Sequence, residues 1–207
     1  MQLLLARRVG DHVLSDHVSF VAATNRRTDR AGVTGILEPV KSRFAAIVEL
    51  TIHLEDWCAW AIGAHLPTDL IAFLRFRSDL LCAFTPTADL VNCPLPRTWA
   101  HAGRLLALHL DEPLEQQAFA GAGGAGAASE FVAFRALAKT LPTIEALLAD
   151  PAHAPIPKEP ALLYALVTGL AARTTLDTFD AIAAYALRLA AKRQGEFAAL
   201  LIRDSLQ

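Results

Sequence analysis

"VAATNRRTDRAGVTGILEPVKSRF", residues 21–44, runs from an apolar stretch closing on Thr24 and Asn25, through a segment crowded with arginine, to a short apolar segment closing on Lys41 and Arg43. Read as strand, loop and helix, it gathers Arg26, Arg27, Arg30, Lys41 and Arg43 within one unit. The fold turns on this reading, because almost everything downstream has helical spacing. If residues 21–44 hold a strand, the chain opens on an α/β piece; if they do not, it is helical throughout.

The flanks favour the α/β reading. Residues 18–24 (VSFVAAT) form a near-continuous apolar run, which predicts a strand covered on both faces, as in a parallel sheet. Residues 44–54 (FAAIVELTIHL) are β-branched and apolar and predict a second strand. Between them, residues 36–43 predict a short helix with Pro39 in its first turn, where a missing N–H does no harm. Upstream, Gly10-Asp11 at the centre of residues 7–14 predicts a small hairpin whose turn needs positive φ. Residues 1–6 read as the end of an apolar helix lacking its own start signal, as though something preceded it.

From Glu55 onward the apolar spacing changes to three and four. Segments 54–66, 68–84, 97–110, 129–141, 142–150, 159–174 and 177–204 are predicted helices. Breaks are expected at Pro67, Pro86, Pro94 with Pro96, residues 121–126 and residues 151–160. The reading is therefore mostly α, with an α/β piece at 1–54 and an all-helical region at 55–207. The Gly/Ala tract 121–128 is expected to be a loop feeding a helix.

Composition sets outer bounds. A chain of 207 residues with 54% apolar and 19% charged types is globular in character and long enough for a real core. The net charge of -2 gives no general electrostatic reason to expect nucleic acid or a membrane surface as partner. Cys58, Cys82 and Cys93 fit neither a C-x-x-C pair nor a zinc pattern and are expected to be buried, reduced thiols. The apolar tract at the start is too short for a signal or a span, and a cytoplasmic location is the default expectation.

Three features could carry chemistry. Asn25, at the expected C-terminal end of a parallel strand, stands where open α/β sheets bind ligands, or else closes the strand on local backbone. Arg43, at the end of a short helix, could complete a phosphate site in a neighbouring subunit; spacing alone favours a helix C-terminal cation held by the macrodipole. Arg26, Arg27 and Arg30 read as a solvated or subunit-facing surface, with Asp29 as a partner for one of them. Arg97, behind Pro94 and Pro96, is either aimed at a nucleotide from the first turn of a helix or simply exposed there while Trp99 packs.

Other signals are weak. Residues 121–126 satisfy G-x-G-x-x-G, but no strand precedes them. No G-x-x-x-x-G-K-[ST] loop and no G-x-S-x-G elbow occurs, and the histidines are scattered. Trp57, Trp60, Phe73, Phe76 and Phe84 fall at helical spacing and are expected in the core.

At AATNRRTDRAGV followed by LEPVKSRF the sequence resembles the AAA+ ATPases of the MoxR type, bacterial and phage ATP-binding proteins often linked to von Willebrand factor A-domain partners. The resemblance runs on through DWCAWA, IAFLRFRSDLL, PRTW, EFVAFRALAKTLP, DPAHAPIP, ALLYAL and QGEFAALLIRD, nearly the whole chain. It implies that Asn25 is the sensor 1 asparagine, Arg43 the arginine finger reaching a neighbour's nucleotide, and Arg97 the sensor 2 arginine of a helical lid. It implies ATP and Mg²⁺ in the complete family member, a ring of subunits or a complementing ATPase subunit, and chaperone-like remodelling. The family carries Walker A and Walker B motifs upstream of the hairpin, and this sequence starts after both. The chain alone is therefore expected to be inactive and to bind nucleotide weakly, as a fragment, truncated product or split subunit. In the family's sheet the Walker A strand lies between the two strands expected here, so residues 1–54 should be poorly stable alone.

Overall fold

The computed structural model describes residues 2–25 and 36–207, which divide into two compact units, Met1–Thr51 and Ile52–Gln207. Arg26, Arg27, Asp29 and Arg30 lie outside the described residues.

In the first unit, a one-turn helix α1 (Gln2–Ala6) leads into strands β1 (Arg8–Val9) and β2 (His12–Val13), an antiparallel hairpin with Val9 opposite His12. Gly10 turns it at φ +59, a conformation that costs glycine little. Arg7 staples its base: the guanidinium donates to the carbonyls of Ser15 (2.6 Å) and Val18 (2.5 Å) and lies over the Phe20 ring. Helix α2 (Glu38–Lys41) follows, with Pro39 in its first turn and Lys41 Nζ 2.6 Å from Glu38 Oε1.

Here the structure departs from the sequence reading. Neither residues 18–24 nor residues 44–54 form a strand; β1 and β2 make the only sheet among the described residues. Val21 is 97% exposed in the run expected to be covered on both faces, and Leu50 is 93% exposed in the run expected to be the second strand. The physical reason is that a strand is completed by its neighbours: without a ladder partner an apolar β-branched run gains no backbone pairing and hides no face. The expected α/β piece is thus a hairpin and a helical turn, and the helix of residues 36–43 shrinks to four residues.

The second unit is helical among its described elements. Its helices are α3 (Leu54–Gly63), α4 (Thr68–Phe76), α5 (Pro96–Leu106), α6 (Glu112–Gly123), α7 (Ala125–Ala138), α8 (Ile144–Ala149), α9 (Pro160–Ala171), α10 (Phe179–Ala191) and α11 (Gly195–Ser205). Two hydrophobic clusters hold them. Phe73 centres the first, within 5.2–5.6 Å of the rings of Phe131, Trp99 and Phe134. Leu166, Tyr185, Leu189 and Leu201 anchor the second, and Tyr164 of α9 packs on both. Trp57 and Phe73 are buried as expected, whereas Trp60, Phe76 and Phe84 are exposed.

Three of these helices are followed by a left-handed residue that is not glycine. His65, His109 and Arg193 adopt left-handed φ of 54°, 50° and 63° after α3, α5 and α10. At α3 the Leu66 N–H donates to Ala61 O, and at α10 the Gln194 N–H donates to Leu189 O, both 6→1 bonds that occupy terminal carbonyls. The helix expected over 177–204 is therefore two. The one expected over 68–84 also breaks: α4 ends at Phe76, and a 3-10 helix covers Ser78–Cys82. At the break Arg77 binds Asp79 (2.9 Å) and Glu130, while Trp99 Nε1–H donates to Leu80 O at 2.7 Å. The Gly/Ala tract, expected as a loop, is helical on both sides of one residue, Gly124, at φ 88 and ψ 148.

Candidate functional site

Arg97 is the second residue of α5, directly behind Pro96, whose ring suits the first turn. Thr98 fixes that turn. Its Oγ1 accepts the Leu95 N–H at 2.9 Å and donates to the Cys93 carbonyl at 2.9 Å. Trp57 Nε1–H also reaches Pro96 O at 3.2 Å, and Trp99 is buried below. The Arg97 side chain is exposed, and no carboxylate pairs with it among the described residues. A cation on a braced helix start is suited to an anion delivered from outside.

Arg43 lies two residues beyond α2, in the turn that follows rather than at a strand junction; its N–H donates to Val40 O. The side chain is half-buried, and its Nε is shielded from solvent without a hydrogen-bond partner. No ion pair to it occurs among the described residues. Asn25 is exposed at the end of residues 18–25, where no strand forms; its carbonyl accepts a hydrogen bond from Thr24 Oγ1. No hydrogen bond joins Asn25 to Arg43 among the described residues, and Arg97 belongs to the other unit.

The sequence reading missed the most heavily constrained charges in the chain. Arg75 of α4 is buried, and its Nη1 donates to Asp204 Oδ2 of α11 at 2.5 Å and to Thr168 Oγ1 of α9 at 3.4 Å. Arg203 joins Asp204 (3.1 Å) to Glu55 of α3 (2.5 Å), and Glu55 stands 3.8 Å from Arg75. Two guanidiniums and two carboxylates thus neutralise one another across three helices. Cys58 sits beside them, and burial pushes its thiol up to about 11 against the opposing pull of Arg75. A cleft of about 290 Å³ opens over Thr168 and Asp204, walled by Ile62, Leu66, Ile71 and Ala171. The signal was there to be read: an arginine inside LIAFLRF and an aspartate closing LLIRD are charges on otherwise apolar helix stripes, and such charges are buried only when paired.

A second cluster lies near α6 and α7, where Arg135 bridges Asp69 (2.7 Å) and Glu115. Burial raises the Asp69 carboxyl above its ordinary value, with Arg135 opposing. Both clusters hold their guanidiniums in ion pairs, although Arg75 Nε, like Arg43 Nε, has no hydrogen-bond partner; no ion pair to Arg43 or Arg97 occurs among the described residues. No group of three His, Cys, Asp or Glu among the described residues is placed to hold a metal ion, and no described helix is long and apolar enough to cross a membrane. Comparisons of the chain with protein-family models, with curated proteins and with solved structures find no match.

Proposed function

We propose that the chain is the C-terminal part of a MoxR-type AAA+ ATPase that contributes arginines, and a helical lid, to a nucleotide site completed by other polypeptide. One observation carries the reading: Arg43 is half-buried, its Nε is shielded from solvent without a hydrogen-bond partner, and no ion pair to its guanidinium occurs among the described residues. An unpartnered polar atom of this kind calls for a ligand, and for a guanidinium the matching ligand is a carboxylate or a phosphate. Arg97, braced and unpaired at the start of α5, supplies the second phosphate contact, as sensor 2. Asn25, as sensor 1, orients the attacking water.

The site's remaining parts are not in these 207 residues, since no Walker A loop occurs in the sequence. Arginines and an asparagine fit triphosphate oxygens but do not ligate Mg²⁺, whose ligands belong to the missing part. ATP and Mg²⁺ are cofactors of the assembled ATPase, in which the metal draws charge off the phosphates; this chain binds neither tightly by itself. The partners of this reading are copies of the chain or a complementing subunit in a ring, and a von Willebrand factor A-domain protein. The exposed apolar segments 18–25 and 44–53 fit the same picture, as strands lacking the neighbour that lies between them in the family's sheet.

The test is ATP turnover by a polypeptide extended upstream in the same reading frame. R43A should lower turnover by about 10³-fold or more. Mixing with a Walker A-deficient subunit that retains Arg43 should restore it, because the finger acts on a neighbour's nucleotide. R97A should fail that rescue. Turnover indifferent to Arg43 overturns the finger, and no turnover at all favours a non-enzymatic helical interaction module, which the doubly clustered core of Ile52–Gln207 would serve. Inhibition of a full-length paralogue on co-expression would mark the chain as a truncated, inhibitory subunit.

A further inference from the structure

The three cysteines, expected to be alike, are not. Cys58 is buried, Cys82 is exposed and Cys93 is half-exposed. The latter two stand at the two ends of one loop. Cys82 closes the 3-10 helix, Cys93 lies three residues before α5, and residues 83–92 between them form no helix or strand.

The neck of that loop is tied shut. The Ala83 N–H, directly after Cys82, donates to the carbonyl of Pro94, directly after Cys93, at 2.9 Å. Two further bonds clamp the flanks: Trp99 Nε1–H to Leu80 O, and Thr98 Oγ1–H to Cys93 O. Asn92, directly before Cys93, is pinned as well, by its Nδ2–H to Gly121 O at 2.6 Å. A disulfide needs α-carbons within about 7 Å. The neck bond joins the residue that follows Cys82 to the residue that follows Cys93, so each cysteine is one residue from a hydrogen-bonded partner of the other's neighbour.

We propose that Cys82 and Cys93 are a redox modification site, forming an intrachain disulfide that closes the 83–92 loop by exchange with a small-molecule disulfide such as oxidised glutathione. Cys82, the more accessible, attacks first as the thiolate and expels one small thiolate, leaving a mixed disulfide. Cys93 then attacks the Cys82 sulfur and expels the second. The protons from the two protein thiols go to the two small thiols released, so the protein loses two hydrogens and the small disulfide is reduced. Cys58 takes no part, because it is enclosed and remains a thiol near neutral pH. This inference stands apart from the ATPase reading. What it governs is the loop that carries Leu90 and Val91 fully or largely exposed, five residues and more ahead of Arg97.

The test uses the native full-length chain in a glutathione redox buffer, with thiols trapped by alkylation and the chain then cut by thermolysin before Leu90 or Val91. The expected result is a monomer with two of its three thiols lost and a mass lower by two hydrogens, whose fragments stay joined until reductant is added. C82S and C93S, both outside the core, should each give fragments that separate without reductant. A glutathione adduct that persists on Cys82 with Cys93 free overturns the proposal. So does linkage only between chains, or a closed species surviving in either serine variant.

Discussion

Arg75 and Arg43 pose the same question with opposite answers. Arg75 is buried and Arg43 half-buried, and the charge of Arg75 is met inside the chain, where its Nη1 reaches Asp204 and Thr168. R75M should therefore cost about 3–5 kcal/mol in urea unfolding, because it leaves the buried Asp204 carboxylate with only the half-exposed Arg203 as its charge partner. R75M combined with D204L should recover much of that loss, since a neutral apolar pair leaves no orphan charge. A double variant as unstable as the single one would show that packing, not charge, dominates at this point. Arg43 has no such internal partner among the described residues, which is why its demand is assigned to a ligand. The sequence displayed both arginines equally; what it could not display is which one meets a carboxylate across 129 positions of chain.

At the scale of elements, periodicity was a good guide to where helices lie and a poor one to where they stop. The spacing of three and four is a local property, so every expected helix from Glu55 onward is found. Stops depend on contacts. His65, His109 and Arg193 take up left-handed φ that glycine would adopt more easily, and only the terminal carbonyls and packing around them make this acceptable. Gly124 is the opposite case, a required glycine. At φ 88 and ψ 148 almost no other residue is comfortable, and a Cβ there would come 3.0 Å from the Asn92 carbonyl. G124A should destabilise the chain by about 1–3 kcal/mol in thermal unfolding. G126A, where a Cβ meets nothing within 4 Å, should be neutral or stabilising. Equal effects of the two would mean that the elbow between α6 and α7 is not set by this residue. The match of 121–126 to a phosphate loop thus dissolves into the geometry of a helix break.

For the whole molecule, stability resides in the second unit. Both hydrophobic clusters lie there, and no described residue of the first unit is buried. A polypeptide of residues 52–207 should unfold cooperatively, with a midpoint in urea unchanged from that of the full chain. A large drop would show that the first unit contributes to the fold after all. By itself the sequence determined the helical character of that region, the hairpin at Gly10 and the proline-marked helix starts, because each follows from propensities acting within a few residues. Only the tertiary structure decided that 18–24 and 44–54 form no strand, that Arg75 meets Asp204, and that the 83–92 loop closes on the bond from Ala83 to Pro94. Strand pairing, ion pairing and loop closure all join residues distant in sequence, and a linear pattern carries no record of which distant groups the packing brings together.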